Sequence, residues 1–506
     1  MISGFISNFF KIPDNPAIII EDKTFSYKEL MELAFVIAGE IRNSNLKNEK
    51  LIGVYTDYSV HTYASIIAVL LNGSGFVPIN KKFPDDKLQN IIKSSGIRGI
   101  LCNEKSVGEL RKLEHLSSIE LLINDDVSPG DLTMLSVDLK VNKISDTAYV
   151  LFTSGSTGIP KGIGITYNNF ETFIHAMTQS GRYDFNSSDK VLQIFELSFD
   201  VSIACTFIAW EVGAALIPVH TEGIVFIQAL QSIQKYDITI VSMAPSALAY
   251  MKQLRLLEEF NFPQIRYTFL TGEALPYNLA LAWKSIAPHS IIENAYGPTE
   301  VTVWSSMYRL NDETLKEVVN GLVPIGTALA GLVTKVCDEN GKEVKTGAFG
   351  ELLLYGKQVA NGYWNDAAKS GTSFIKFMED EFPGNWYKTG DIVVENTNKN
   401  LMYINRKDNQ VQINGFRVEL GEIEFRIKEY TQKDAAVVLP FETNNALILL
   451  AFVEDIGDNV QDLKMYLAST LPSYMIPKKF YSISIMPLNN SGKIDRKKLL
   501  ELHHEG

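Results

Sequence analysis

The chain has 506 residues, 46% of them hydrophobic and 21% charged, with 47 Lys and Arg against 59 Asp and Glu for a formal net charge of −12. That length fits two to four domains, and the near-average composition excludes a disordered chain, a collagen-like repeat and a disulfide-rich miniprotein. No basic face stands out that could displace counterions from phosphates, so nucleic acid is disfavoured as a partner. Cys102, Cys205 and Cys337 lie far apart and match no zinc spacing, and His61, His115, His175, His220 and His289 are scattered. A transition-metal cage is therefore a poor expectation, and so few cysteines suit a reducing compartment. The N-terminus has no basic n-region or small-residue cleavage site, and no stretch reaches the roughly 18 apolar residues of a membrane span. The sequence reads as soluble and cytoplasmic, with no membrane partner.

In chain order, Val/Ile/Leu-rich runs alternate with amphipathic stretches. Strands are expected at Ala17–Ile20, Leu51–Tyr55, Ala148–Phe152, Val191–Ile194 and Ile238–Val241, and helices at Tyr27–Ile41 and His61–Leu71. Short continuous apolar runs between helices predict strands buried on both faces, hence an α/β protein. The texture changes after the polar turn Asn396–Asn400. A short strand at Leu401–Ile404 precedes a helix over Val418–Tyr430, strands at Ala435–Leu439 and Leu447–Phe452, and a helix over Val460–Leu471. That alternation predicts a small α+β domain, 406–506, behind a large domain, 1–405.

The densest local signal is Leu151-Phe-Thr-Ser-Gly-Ser-Thr-Gly-Ile-Pro-Lys-Gly162, with three glycines, four hydroxyl residues and one lysine in twelve positions. Glycines let a backbone approach a phosphate, free N–H groups and hydroxyls donate to it, and Lys161 adds mobile positive charge. It is not a Walker A loop, because Pro160 and Gly162 stand where that motif needs Gly and Ser or Thr.

This loop resembles the signature of the adenylate-forming enzymes, the superfamily of acyl-CoA synthetases, luciferases and nonribosomal-peptide adenylation domains. Asn294-Ala-Tyr-Gly-Pro-Thr-Glu300, Tyr387-Lys-Thr-Gly-Asp391, Arg406–Glu424 and Asn489-Asn-Ser-Gly-Lys-Ile-Asp495 match further family blocks in the same order. Alone, Tyr296 reads as a core aromatic, Asp391 as a turn residue and Lys493 as a solvated charge; order and spacing together overturn those readings. The resemblance implies a large N-terminal domain of β-sheets packed with helices plus a small β-barrel-like part, followed by a mobile α+β domain hinged at Asp408.

The implied reaction has two halves. A carboxylate attacks the α-phosphorus of ATP to give an acyl-adenylate and pyrophosphate, and a thiol then attacks the acyl carbonyl and releases AMP. By resemblance, Thr153, Ser154, Gly155, Ser156, Thr157, Gly158 and Lys161 cradle the phosphates, while Gly272, Glu273, Ala274, Asn294, Ala295, Tyr296 and Gly297 surround the adenine. Asp391 takes the ribose hydroxyls, Tyr403 and Arg406 touch the nucleotide, Thr299 meets the α-phosphate and Glu300 binds Mg²⁺. Lys493 bridges the two anionic substrates as the catalytic lysine. The segment Ile413–Arg417 comes in to line a thiol tunnel, which Gly415 leaves open; Gln412 stands where the family commonly has lysine.

Asp200 occupies the position where amino-acid-activating members hold an aspartate for the substrate α-ammonium, since an unpaired buried carboxylate is costly. A helix N-cap is the alternative role. The matching pocket residues are Val201, Ala204, Ser242, Phe269, Thr271, Ala295, Val303 and Trp304. None is charged, so acidic and basic side chains are disfavoured. Trp304 could cap the pocket for a small substrate, yet Ala204 and Ser242 leave room beside it, so small and larger apolar amino acids both stay open. With no carrier serine motif downstream, the expectation is an amino-acid adenylating ligase that loads the phosphopantetheine of a carrier protein in trans, with a small accessory activator protein as a further partner to test for. A D-alanine–carrier protein ligase, supported by Leu471–Phe480, and an acyl- or aryl-CoA synthetase are the enzymatic alternatives. A binding module that has lost catalysis is the non-enzymatic one.

Overall fold

A computed structural model describes residues 3–113, 119–125, 146–153, 160–219, 225–377, 382–407, 410–433, 435–443, 447–457, 459–487 and 494–505. Of the expected site residues, Ser154, Gly155, Ser156, Thr157, Gly158, Asp408 and Lys493 lie outside these.

The protein is a mixed α/β structure, with a large N-terminal part and a smaller C-terminal one. Its largest sheet has nine strands in the order Thr327–Ala328, Ser306–Arg309, Ile291–Tyr296, Tyr267–Thr271, Ile240–Met243, Lys190–Gln193, Ala215–Pro218, Pro16–Ile20 and Lys23–Ser26. The six central strands run parallel, and antiparallel pairs close both edges. A second sheet of six strands runs Glu120–Ile123, Gly99–Cys102, Leu51–Thr56, Gly75–Asn80, Thr147–Thr153 and Lys161–Thr166, parallel except for the last pair. Strands such as Leu51–Thr56 and Gly75–Asn80 are buried at every position, because helices cover both faces.

The helix Asp200–Val212 is apolar all round and buried from Val201 to Trp210, as expected of a helix enclosed in a core. It stops at Gly213, whose left-handed φ of +79° closes the last turn. Residues 332–406 form a five-stranded antiparallel sheet. Beyond it come a hairpin, Gln410–Ile413 with Phe416–Glu419, and a three-stranded sheet, Ala436–Glu442, Leu447–Glu454 and Lys479–Ile483. Helices Leu420–Thr431 and Val460–Thr470 pack Ile423, Ile427, Leu463 and Leu467 against that sheet's Val438 and Ala451.

Two boundaries differ from the sequence reading. The helix expected from Val418 starts at Leu420, because Val418 and Glu419 are paired across the hairpin with Val411 and Gln410. The strand expected from Ile238 starts at Ile240, because the Ile238 N–H still closes the preceding helix on the Ile233 carbonyl.

In an open parallel sheet, ligands bind beyond the carboxyl ends of the strands. Here those ends deliver Ser242, Thr271 to Glu273, and Ala295 to Glu300 to one edge, where the N-terminus of the helix Asp200–Val212 also arrives. Among the described residues, no helix is long and apolar enough to cross a membrane.

Candidate active site

Asp200 is the first residue of its helix, and the cap position belongs to Phe199, which makes no side-chain capping bond. The N-cap alternative therefore fails. The carboxylate instead accepts hydrogen bonds from the Thr299 hydroxyl and the Val201 N–H. Desolvation pushes its pKa up to about 6, and the nearby Glu300 charge adds to the rise, while those hydrogen bonds and Arg417 oppose it. Asp200 remains partly accessible, so a substrate cation can still reach it.

Glu300 is enclosed more completely, at 1% exposure. Its carboxylate accepts from the Tyr363 hydroxyl at 2.9 Å and forms an ion pair with Arg417 at 2.8 Å. Burial alone would raise this carboxyl, but the Arg417 charge and the hydrogen bonds outweigh it and hold it below the ordinary glutamate value. Among the described residues, no group of three or more His, Cys, Asp and Glu could cage a metal. A single carboxylate nonetheless suits Mg²⁺ held largely by substrate phosphates and water.

Three residues assigned to the nucleotide meet directly. The Tyr296 hydroxyl donates to one oxygen of Asp391, and Arg406 pairs with the other at 2.8 Å. Arg406 also donates to the Thr389 carbonyl at 3.1 Å, and Tyr403 lies on the same strand, Leu401–Arg406. Thr153 ends a strand opposite Lys161. Asn294 donates to the carbonyls of Val323 and Pro324 at 3.2 and 2.8 Å, so it braces the loop beside the site. Ala274 is exposed. Gly297 has no room for a side chain, since a Cβ there would lie 2.2 Å from the Val303 carbonyl oxygen.

The hairpin 410–419 is seated in this site. The Gly415 N–H donates to Glu273 at 2.7 Å, Phe416 packs on Phe199 with ring centres 4.8 Å apart, Arg417 holds Glu300, and Glu419 pairs with Lys161. Gly272 faces Gly415 so closely that a Cβ at 272 would stand 3.5 Å from its backbone. On the hairpin itself, Gln412 is the cross-strand neighbour of Arg417.

Sequence reasoning placed Arg417 only as the end of the segment lining the thiol tunnel, and assigned no role to Glu419, Tyr363 or Tyr387. Tyr387 and Arg417 hydrogen-bond one another beside Glu300, and both stand inside recognised motifs, which was the available signal. Tyr363 carried none.

Residues 8–364 match the model of the family described as AMP-binding enzyme. Zwittermicin A synthase ZmaJ of Bacillus cereus is 32% identical over 98% of this chain and 93% of its own length. Gramicidin S synthase 1 of Brevibacillus brevis is 30% identical over 97% of this chain, which spans 43% of that longer protein. The fold matches that of the Vibrio cholerae adenylation domain AlmE, solved with glycyl-adenosine-5′-phosphate, at a TM-score of 0.85 and 24% identity over 99% of this chain and 97% of that one. The chain belongs to the AMP-binding enzyme family and is an ATP-dependent, AMP-forming ligase of the nonribosomal-peptide adenylation type.

Proposed function

We propose that this protein activates an α-amino acid as its adenylate and transfers it to the phosphopantetheine thiol of a carrier protein supplied in trans. The observation that carries the amino-acid half is Asp200. Its carboxylate is held at the edge of an uncharged pocket, raised in pKa, and reached by no ion pair among the described residues. A substrate α-ammonium supplies that missing cation; the acid group of a fatty or aryl acid does not.

In the first half-reaction, Asp200 orients the amino acid by its ammonium, so that its carboxylate oxygen faces the α-phosphorus. Thr299, whose hydroxyl donates to Asp200, would meet the α-phosphate as the resemblance assigns. Asp391 and Arg406 hold the ribose end, and Lys161 neutralises phosphate charge. Mg²⁺ on Glu300 would screen the phosphates as pyrophosphate leaves. Lys493 has the bridging role that the resemblance assigns, where a preorganised charge is worth about 10²–10³ in rate.

For the second half, the Glu419–Lys161 and Arg417–Glu300 pairs hold the hairpin over the phosphate-binding groups. Gly415 packs against Ala244 and Gly272, where a Cβ would stand 3.1 Å from the Ala244 Cβ, and by resemblance it is the position that keeps the thiol tunnel free of a side chain. This arrangement suits thiol transfer after pyrophosphate has gone. The similarity to synthases of the nonribosomal-peptide type supports reading the acceptor as a carrier thiol rather than free CoA.

The test is pyrophosphate exchange across amino acids, aryl acids and fatty acids, with wild type and Asp200→Ala. Exchange confined to amino acids, and lowered by about 10² or more in the variant, is expected for a truncated buried charge partner. Exchange with non-amino acids alone, or an unaffected variant, returns the CoA-synthetase reading to first place.

A further inference from the structure

We propose that Lys369 is a second phosphate-binding lysine, which joins Lys161 to hold the pyrophosphate end of ATP during the first half-reaction. It lies in none of the motifs matched above. This rests on the AMP-forming chemistry of the family and on the hairpin 410–419 being elsewhere in that half-reaction, as the resemblance implies. It does not depend on which acid is activated.

The position of Lys369 is set by the strand that begins at Lys161. Strand Lys161–Thr166 meets residues 363 and 364 through an Ile163–Tyr363 bridge and a 2.7 Å hydrogen bond from the Trp364 N–H to the Gly162 carbonyl. Gly162 has to be bare, since a Cβ there would lie 2.8 Å from that of Trp364. The short helix Ala367–Ser373 follows at once. Asp366 caps it by accepting the Lys369 N–H at 2.9 Å, and the Ser370 hydroxyl accepts the Tyr363 N–H at 2.8 Å. The first turn is thus fastened to the segment that runs along Lys161, and it carries Lys369 to that lysine's side.

A surface lysine on a short helix ordinarily points its charge into water. Lys369 instead is half-buried, holds its ammonium 5.5 Å from the centre of the Tyr363 ring, and hydrogen-bonds Lys161, whose side chain is only 12% exposed. Two ammonium groups so close oppose each other's charge. Burial and Lys161 bring the Lys369 pKa down to about 8, against the pull of Glu419 and Asp366. Both charges persist only with an anion beside them. Asp366 is exposed and tied to the helix cap. Glu419 pairs with Lys161, but it belongs to the hairpin and departs with it.

The surroundings say which anion takes over from Glu419. The hydroxyl of the same Tyr363 donates to Glu300 at 2.9 Å, so the lysine pair and the carboxylate expected to hold Mg²⁺ flank one side chain. Lys161 is also the lysine that the resemblance gives to phosphate. In the reaction, the acid's oxygen bonds to the α-phosphorus as the bond from that phosphorus to the bridging oxygen breaks, and pyrophosphate leaves with the electron pair. Negative charge grows on the leaving phosphates, where two preorganised lysines stabilise it more than one.

The experiment measures pyrophosphate exchange for wild type, Lys369→Met and Lys369→Arg, using whichever acid wild type activates and varying pyrophosphate, ATP and acid in turn. Lys369→Met should raise the KM for pyrophosphate by about 10–100-fold, the effect of removing a charged hydrogen-bond donor. The KM for ATP should move the same way, and that for the acid should hardly change. Lys369→Arg keeps the charge and should recover most of the loss. Lys369→Gln repeats the test if the methionine variant does not fold. An unchanged pyrophosphate KM in the uncharged variants overturns the proposal. So does a loss that falls equally on acid and pyrophosphate and that arginine does not rescue, which is the mark of a structural residue. Because any activated acid serves, failure of the Asp200 reading shows in the choice of acid and not in these constants.

Discussion

Asp200 and Glu300 are carboxylates in one site, close enough to feel each other's charge, yet desolvation lifts Asp200 to about 6 while Glu300 is held below the usual range. Burial acts on both in the same direction. What separates them is the partner. Glu300 has a guanidinium at 2.8 Å, delivered by a hairpin of the C-terminal part, whereas Asp200 has two hydrogen-bond donors, a weaker Arg417 charge and no ion pair among the described residues. The chain thus supplies its own cation to Glu300, and on the proposed reading the cation for Asp200 comes from the substrate. A carboxylate with a built-in partner can be buried stably, whereas one without retains an unfavourable charge that a ligand relieves on binding.

The sharpest way to break this comparison is to make Glu300 resemble Asp200. Arg417→Ala leaves a buried carboxylate with no guanidinium, and losing one partner of such a pair costs about 3–5 kcal/mol, the lower end applying here because Arg417 is partly exposed. The expected result is a lower melting temperature without Mg²⁺, partly restored by adding it. Thiol transfer should fall by about 10², as for other buried charge pairs, while pyrophosphate exchange stays near wild type. Equal losses in both half-reactions would show that Arg417 is merely structural.

How much of this was legible beforehand depended on whether the information was local. The motifs containing Tyr296, Asp391 and Arg406 stand 95 and 15 residues apart in sequence, and the structure brings those side chains into contact. Order along the chain was enough to group them. Arg417 lay within a recognised block, but its partner is 117 residues away and depends on how the hairpin docks, which no spacing encodes. The packing of Trp304 was equally hidden: this turn residue stacks on Phe269 and bonds Thr271, two residues of one parallel strand. The helix start was misplaced for a smaller reason: Phe416–Glu419 is a four-residue strand beside an apolar helix, and periodicity cannot separate the two.

The pH dependence of substrate binding sharpens the contrast from the Asp200 side. An ionised Asp200 holds the ammonium and a protonated one does not. The amino-acid KM should therefore be flat above about pH 6 and rise below it, approaching about tenfold per unit. The pKa of about 6 belongs to the enzyme without substrate, so the break should appear in kcat/KM. Asp200→Asn should bind weakly at all pH values and lack the break. A wild-type profile with no inflection between pH 5 and 7 would mean that Asp200 does not receive the ammonium.

The smallest expected effect is on stability, and its sign is diagnostic. Because folding raises the Asp200 pKa from 3.8 to about 6, the ionised group opposes folding. The folded state binds the proton more tightly, so this penalty is absent below pH 3.8, grows as pH rises through the window between the two values, and is complete above about 6. Asp200→Asn keeps the shape and removes the charge, so it should stabilise the unliganded protein at pH 8 by about 1–2 kcal/mol, allowing for the partial access of the group. At pH 4 the difference should nearly vanish. Denaturant unfolding at the two pH values measures it. An Asn variant that is less stable at pH 8 would mean that a cation of the chain already satisfies Asp200, and the substrate would no longer be needed as its partner.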